Sequence, residues 1–276
     1  MAITASDVNK LRQQTGAGMM DCKNALVEAN GDFEAAVDIL RKKGQKIAAK
    51  RGENEAREGV IFAQTTEDGT SGVVLTLNCE TDFVAKNDGF RDFVQSLLNI
   101  AIANGANSAE ELKAMSYDSK LTVEEKITEQ IGVIGEKLDL SGYAKVDAAK
   151  VVAYNHPGNQ LATLVALNSG SSVAEEAGRQ VAMQVAAMNP IALNKDGVDA
   201  RTIEREIEVG KDLAIQEGKP ADMADKIAQG RLAKFFKENT LLSQEFIRDN
   251  KLSVEQFLSS TEQGLTVVDF KRFSLS

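Results

Sequence analysis

The residues able to do nucleophilic chemistry in this sequence are few: one histidine, His156, and two cysteines, Cys22 and Cys79. A Cys–His or Ser–His dyad would have to use His156, and no oxyanion motif or third orienting group is identifiable beside it. The same count excludes a zinc site built from several histidines, and neither common glycine-rich phosphate loop occurs in the sequence. We therefore predict a protein with no catalytic residues, no metal and no cofactor. An enzymatic alternative would require turnover that depends on Cys79 and His156.

The sharpest local feature is the segment Cys79-Glu80-Thr81-Asp82-Phe83-Val84-Ala85-Lys86, which follows a β-rich run directly. In one interpretation Thr81 or Asp82 caps a following helical turn and Phe83 packs into the core, because both arrangements are common. In the other, Phe83 is an exposed wedge on a loop held by a rigid scaffold. Residue types alone leave both interpretations open.

A second feature is the pair Met19-Met20 beside Gly16-Ala17-Gly18. Adjacent methionines on a helix point in different directions, so one of them can be an adaptable surface contact of the kind that flexible thioethers make. The alternative is that both fill gaps in the core.

The composition is ordinary for a soluble globular protein and disfavours a nucleic-acid binder. The 276 residues carry a net charge of −9 and only 5% aromatic residues, which disfavours phosphate contacts and base stacking. We interpret the basic cluster as a solvated helix face; it comprises Arg41, Lys42, Lys43, Lys46, Lys50 and Arg51. No apolar run reaches the ~18 residues of a membrane span. With no signal-peptide pattern and two cysteines, we expect a cytoplasmic protein without direct nucleic-acid binding.

Hydrophobic periodicity predicts an α+β fold. Three short helices, the last stopping near Gly44, precede a charged linker from Lys46 to Glu58. A hairpin-then-helix order then occurs twice, and the strand-like Leu265–Phe273 run completes the second sheet. Between Asn194 and Phe236, the Gly218-Lys219-Pro220 turn predicts an antiparallel helical hairpin, with Ile203, Ile207, Leu213 and Ile215 facing Met223, Ile227 and Leu232.

We therefore predict four domains. They are an N-terminal three-helix domain like a ubiquitin-associated domain (1–54), two related antiparallel-sheet-plus-helix core subdomains (55–146, and 147–193 with 238–276), and an inserted helical hairpin or coiled coil (194–237).

Several of these segments resemble the signatures of one family, elongation factor Ts. Leu11–Leu26 resembles its N-terminal signature, Asn78–Lys86 its second, and Ile134-Gly135-Glu136 a shorter third. The segments Gly230-Arg231-Leu232 and Leu241–Gln244 resemble the region after the helical hairpin of the family. They occur in family order over most of the chain.

The resemblance implies a guanine-nucleotide exchange factor for elongation factor Tu. Thr81, Asp82, Phe83 and Val84 would enter the GTP-binding domain of that partner, where Phe83 wedges between helices, the magnesium side of the site is disturbed and GDP leaves. Arg12, Met19 and Met20 would dock on the same domain, and Ile134 and Gly135 match a further contact.

Two further expectations complete this hypothesis. In well-known members of the family a helical module follows the last core strand, whereas this sequence stops just after that strand. We therefore expect the Thr81–Val84 segment to carry a larger share of exchange in this sequence. The alternative function is a binding module that uses the N-terminal bundle on another protein or on RNA.

Overall fold

A computed structural model describes residues 3–275, without the side chains of Ala221 and Asp222. Two compact units are present. One comprises residues 3–62, Leu75–Ala144 and Leu275, and the other comprises Ala63–Val74 and Lys145–Ser274. The two units are described separately below, and the division into four domains stays a prediction.

The first unit begins with three helices, α1 (Ala5–Thr15), α2 (Met19–Glu28) and α3 (Phe33–Arg51). Thr4 caps α1 in a capping box with Asp7, and Asp32 caps α3. The helices share a small core in which Leu11, Cys22 and Leu26 are fully buried. Local capping and a common apolar core together account for this bundle.

The predicted end of α3 at Gly44 is wrong, because the helix continues to Arg51. A glycine inside a helix normally costs about 1 kcal/mol relative to alanine. Here Gly44 in α3 faces Gly132 in α7 (Val123–Ile134), and the absence of side chains at both positions lets the two helices approach closely. A Cβ on Gly132 would lie 2.6 Å from the Gly44 Cα. Close helix packing therefore overrides the local stop signal, and the predicted charged linker is correspondingly shorter.

The hairpin after α3 consists of β1 (Glu58–Thr65) and β2 (Ser71–Cys79), and β3 (Asp139–Asp147) lies on the other side of β2. Between β2 and β3 are α4 (Asp82–Ala85), α5 (Asp88–Asn104), α6 (Ala109–Ala114) and α7. The apolar face of α5 is buried; it comprises Phe90, Phe93, Val94, Leu97 and Leu98. The more polar sequence that follows forms the two separate helices α6 and α7.

The second unit repeats this order with β4 (Lys150–Asn155), β5 (Leu161–Leu167) and α8 (Ser172–Met188). The last strand, β8 (Val267–Ser274), pairs antiparallel with β5 and completes a sheet of order β4-β5-β8. Helix α8 packs on this sheet through buried alanines and valines. The predicted strand at the end of the sequence is thus confirmed.

The helical hairpin consists of α9 (Ala200–Gln216) and α10 (Ala221–Asn239), but its predicted interface is partly wrong. Leu213, Ile215 and Met223 are between 42% and 54% exposed. The interface is made by small residues, and a Cβ on Gly210 would lie only 3.2 Å from the Ala228 Cα. The buried small residues are Gly210, Ala214, Ala224 and Ala228. Because small residues bring the backbones close together, several larger side chains remain outside the contact.

The segment after α10 contains elements that the sequence patterns did not predict. Strands β6 (Glu245–Phe246) and β7 (Asp249–Ser253) form a two-stranded sheet, and α11 (Val254–Thr261) follows. Their buried side chains join the core beneath α8. Together the elements give the mixed α+β architecture that the sequence predicts. Among the helices of residues 3–275, none has both the length and the apolar composition required to span a bilayer.

Candidate functional site

The turn between β2 and α5 is a short helix rather than an irregular loop. Thr81 is its N-cap, and the Thr81 Oγ1 accepts a hydrogen bond from the Val84 N–H at 3.4 Å. The four residues of α4 end beside Asn87, whose side chain caps α5. The capping role suggested for Thr81 is therefore confirmed, and the turn is held by caps at both ends.

Phe83 lies on the solvent side of α4 and is 83% exposed. The suggestion that this ring packs into the core is therefore wrong. It borders an open groove of about 450 Å³ between α4, the start of α5 and the end of α7; the lining residues are Phe83, Val84, Asn87, Gly89, Phe90, Gln130, Val133 and Ile134. A large apolar side chain presented beside an apolar groove is typical of a protein contact surface.

The turn is anchored from the side by Glu136. Its carboxylate accepts hydrogen bonds from the backbone N–H of Glu80 at 3.1 Å and of Thr81 at 3.0 Å, and from the Thr81 Oγ1 at 2.7 Å. Glu136 belongs to the segment Ile134-Gly135-Glu136 that resembles a family signature, but its role as an anchor is not evident from the sequence. The contact spans 55 residues of sequence, which local patterns do not reveal.

Glu80 makes the opposite connection. Its carboxylate accepts hydrogen bonds from the Lys137 N–H at 2.6 Å, from Arg51 Nη1 at 2.8 Å and from Asn54 Nδ2 at 3.0 Å. Burial alone would raise the pKa of Glu80, but these three donors outweigh it and hold the pKa below its ordinary value. Glu80 therefore links the start of the α4 turn to β3 and to the end of α3.

Asp82, the first residue of α4, pairs with Lys86 one turn later, with Oδ2 and Nζ 2.6 Å apart. The hydrogen bond from Lys86 is the main reason that the pKa of Asp82 lies below its usual value. Both side chains are largely exposed, so the pair contributes little to stability. The Asp82 carboxylate is thus ionised and accessible beside Phe83.

The N-terminal residues singled out by the sequence also lie on the surface. Arg12 is exposed, and Met19 and Met20 are 48% and 64% exposed. The alternative in which both methionines fill core gaps is therefore wrong. A Cβ on Gly16, in the turn before α2, would lie 3.6 Å from Val133 Cγ1, so this turn borders the end of α7 and the Phe83 groove.

Ile134 and Gly135 end α7 at the same groove. Ile134 is half-buried and lines the groove, whereas Gly135 adopts φ 81° as the C-cap and donates its N–H to the Ile131 carbonyl. A helix C-cap with a positive φ favours glycine, which explains the residue type at position 135. The structure thus brings Phe83, Val84 and Ile134 together, and Gly135 acts as the helix cap beside them.

The residues considered for nucleophilic chemistry are not arranged for it. Burial, together with the Glu136 charge, raises the pKa of the Cys79 thiol to about 12, and Sγ donates to the Thr81 carbonyl at 3.2 Å. His156 is exposed, with Nδ1 2.9 Å from the Tyr154 hydroxyl. A thiol protonated at neutral pH is a poor nucleophile. Within residues 3–275, no group of three or more His, Cys, Asp or Glu side chains is placed to hold a metal ion.

An exposed aromatic side chain on a firmly anchored turn, next to an apolar groove, is typical of a surface that contacts another macromolecule. Comparison with known proteins gives the family. The model of the family described as Elongation factor TS matches residues 80–276. The Elongation factor Ts of Christiangramia forsetii is 53% identical over 274 residues, which are 99% of this chain and 98% of that protein.

Other relatives agree. The Elongation factor Ts of Amoebophilus asiaticus is also 53% identical over 274 residues, covering 99% of this chain and 98% of its own length. That of Porphyromonas gingivalis is 48% identical over 276 residues, covering 100% of this chain and 99% of its own length. The chain belongs to the elongation factor Ts family, and its role is that of a translation elongation factor.

Proposed function

We propose that this chain is the guanine-nucleotide exchange factor for elongation factor Tu in the cytoplasm, and that it accelerates GDP release without making or breaking a covalent bond. The observation that carries the proposal is the exposure of Phe83 on the anchored α4 turn. Family membership supplies the partner, and the exposed ring with its neighbouring carboxylate supplies a chemically plausible wedge.

In the proposed mechanism, Thr81–Val84 enters the nucleotide-binding domain of elongation factor Tu. The Phe83 ring separates packed elements there, while the Asp82 carboxylate disturbs the polar contacts on the magnesium side of the site. GDP then loses part of its binding free energy and dissociates. Because the two ligands weaken each other reciprocally, GTP binding afterwards releases the factor.

The remaining contacts are proposed to hold the partner while the wedge acts. Arg12, Met19 and Met20 dock on the nucleotide-binding domain, and Ile134 and Gly135 add a contact beside the groove. Flexible methionines suit such a surface because they adapt to an irregular partner. The predicted second core subdomain (147–193 with 238–276) holds a different domain of elongation factor Tu.

Release of labelled GDP from purified elongation factor Tu tests the proposal. We expect acceleration at substoichiometric amounts of this chain, because a factor that is released can act repeatedly. Absence of acceleration would refute the exchange function. Binding of residues 1–54 alone to another protein or to RNA, with no acceleration by the full chain, would favour the alternative in which the N-terminal bundle is the functional module.

The docking role is tested separately by Arg12→Ala and Met20→Ala, measured as equilibrium binding to nucleotide-free elongation factor Tu. We expect weaker binding from both variants because their side chains are exposed before binding. Unchanged affinity would count against docking by the first two helices.

A further inference from the structure

We propose that Glu136 is the positioning residue of the Phe83 wedge, an inference that rests on the proposed exchange function. In this proposal the Glu136 carboxylate acts as a hydrogen-bond acceptor and not as an acid or a base. It receives the N–H groups of Glu80 and Thr81 and the hydroxyl of Thr81, which are the last groups before α4 begins. Its role is to fix where α4 starts, and so where Phe83 points.

The wedge needs such an anchor because little else holds it. Helix α4 has four residues, far fewer than an isolated helix needs to form in water. Phe83 is 83% exposed, so its ring makes few contacts that could fix its own position. The N-cap residue Thr81 is therefore the point at which the orientation of the turn is decided, and Glu136 holds that residue by backbone and side chain together.

Glu80 makes the anchor reciprocal. The Glu136 carboxylate binds the Glu80–Thr81 backbone, while the Glu80 carboxylate binds the Lys137 N–H, so the two segments are joined in both directions. Arg51 Nη1 also binds the Glu80 carboxylate, and the Lys137 Nζ donates to the Asn54 carbonyl at 2.9 Å. These contacts attach the end of α3, and with it the N-terminal bundle, to the same point.

The consequence for binding is preorganisation. The docking residues lie on α1 and α2, which pack on α3 through a shared apolar core, and the end of α3 is hydrogen-bonded to Glu80 at the start of the α4 turn. A partner that engages both the docking residues and the wedge then loses less free energy to ordering the turn. Without the anchor, only the fraction of molecules with a correctly oriented turn would be competent, and the apparent exchange efficiency would fall to that fraction of the wild-type value.

The test compares three substitutions at Glu136 in the full chain, using kcat/KM for GDP release from elongation factor Tu. Glu136→Gln keeps the reach: its Oε1 can accept from both backbone N–H groups, and its amide can donate to the Thr81 Oγ1. Glu136→Asp keeps the charge but is too short to reach all three groups. We expect Glu136→Gln to remain within about threefold of wild type, and Glu136→Asp and Glu136→Ala to lose roughly tenfold.

The order of the two conservative variants separates geometry from charge. Loss of activity in Glu136→Gln with retention in Glu136→Asp would overturn the proposal, because it would show that the negative charge acts directly on the partner. Equal activity of all three variants with wild type would also overturn it. Circular dichroism and thermal unfolding identify any variant that fails to fold. If Glu136→Ala fails to fold, the comparison of Glu136→Gln with Glu136→Asp still tests the proposal.

A double-mutant cycle with Phe83 distinguishes positioning from general stabilisation. If Glu136 acts through the wedge, Glu136→Ala should slow exchange less than twofold in the Phe83→Ala background, although it slows the wild-type background about tenfold. The same tenfold loss in both backgrounds would overturn the proposal, since the residue would then act independently of Phe83.

A measurement without the partner keeps this inference separate from the proposed function. In the free chain, hydrogen exchange at the N–H groups of Val84, Ala85 and Lys86, which close the α4 turn, should accelerate in Glu136→Ala but not in Glu136→Gln. Unchanged protection in the alanine variant would overturn the positioning role even if nucleotide exchange is confirmed. Failure of wild type to release GDP, with the expected change in protection, would instead refute only the exchange function.

Discussion

Replacing Phe83 with alanine should separate function from stability. The ring is 83% exposed. Full burial of a side chain of this kind contributes ~1.5–3 kcal/mol, so the small buried fraction accounts for less than about 0.5 kcal/mol. For a chain of this size that corresponds to a shift in Tm of roughly 1–2 °C. The free energy of unfolding of Phe83→Ala should therefore be close to that of wild type.

The loss of exchange activity should be much larger. Truncation of an aromatic residue that is central to an interface typically costs ~2–4 kcal/mol. Applied to the transition state of nucleotide release, this predicts a fall in kcat/KM of about 30- to 1,000-fold. The assay is release of labelled GDP from elongation factor Tu, with unfolding measured by urea titration on the same preparations.

Two control variants bracket the expected result. Ile215→Ala removes an apolar side chain of α9 that is 54% exposed; it should leave exchange unchanged and lower stability by about 1 kcal/mol, because nearly half of the side chain is buried. Phe90→Ala removes a ring that is 3% exposed and should lower stability by ~3–5 kcal/mol. If Phe83→Ala retains exchange within twofold of wild type, the wedge role is refuted. If it destabilises the chain as much as Phe90→Ala does, the ring is a core residue in solution.

Three further predictions concern stability and reactivity. Gly132→Ala should destabilise the chain by ~1–3 kcal/mol in urea unfolding, because its Cβ would meet the Gly44 Cα at 2.6 Å, whereas Gly230→Ala meets nothing within 4 Å and should be neutral or stabilising. Neither cysteine should react with a thiol reagent at pH 8 before unfolding, because both are fully buried and the pKa of Cys79 is raised to about 12; rapid reaction of native protein would contradict this. The pKa of Glu80 is lowered in the folded state, so its contribution to stability is complete above the ordinary value of 4.5 and is lost as the pH falls through the lower folded value. In a plot of unfolding free energy against pH, Glu80→Gln should therefore show a shallower decrease at acid pH than wild type. An unchanged decrease would contradict this prediction.

The parts of the fold that were predictable from sequence are those decided by neighbouring residues. Thr4 and Asp32 cap their helices because a side-chain oxygen needs only the next turn of backbone as its partner. The Gly218-Lys219-Pro220 turn predicted the return from α9 to α10 for the same reason. Alternation of apolar residues predicted β4, β5 and β8, and their pairing follows in one antiparallel sheet.

The errors occurred where a distant element decides the outcome. Gly44 was interpreted as a helix stop, yet it lies inside α3 because α7 requires space there. In the helical hairpin, the expectation that large apolar residues make the contact is wrong for Leu213, Ile215 and Met223, although Leu232 is buried. The small residues Gly210 and Ala228 bring the backbones together, because close approach needs short side chains. Neither choice is encoded in a local pattern.

The candidate site shows the same division. The cap at Thr81 was predictable from its own segment, whereas the exposure of Phe83 depends on whether the core has room for the ring. Family resemblance, rather than residue type, favoured the exposed wedge. Neither residue patterns nor family resemblance predict the anchor at Glu136. A hydrogen bond between residues 55 positions apart produces no periodicity in the sequence, and the family signature contains Glu136 without indicating what it does.

The exposure of Phe83 and the anchoring of its turn form one physical argument. A ring left outside its own core contributes almost nothing to folding, so nearly all of its burial free energy remains for the partner. That free energy would be partly lost if binding also had to order a four-residue helix. Glu136 and Glu80 hold the backbone on both sides of this turn before any partner is present. In the proposed mechanism, this rigidity at Thr81 is the condition under which the exposed Phe83 ring acts as a wedge rather than as a flexible contact.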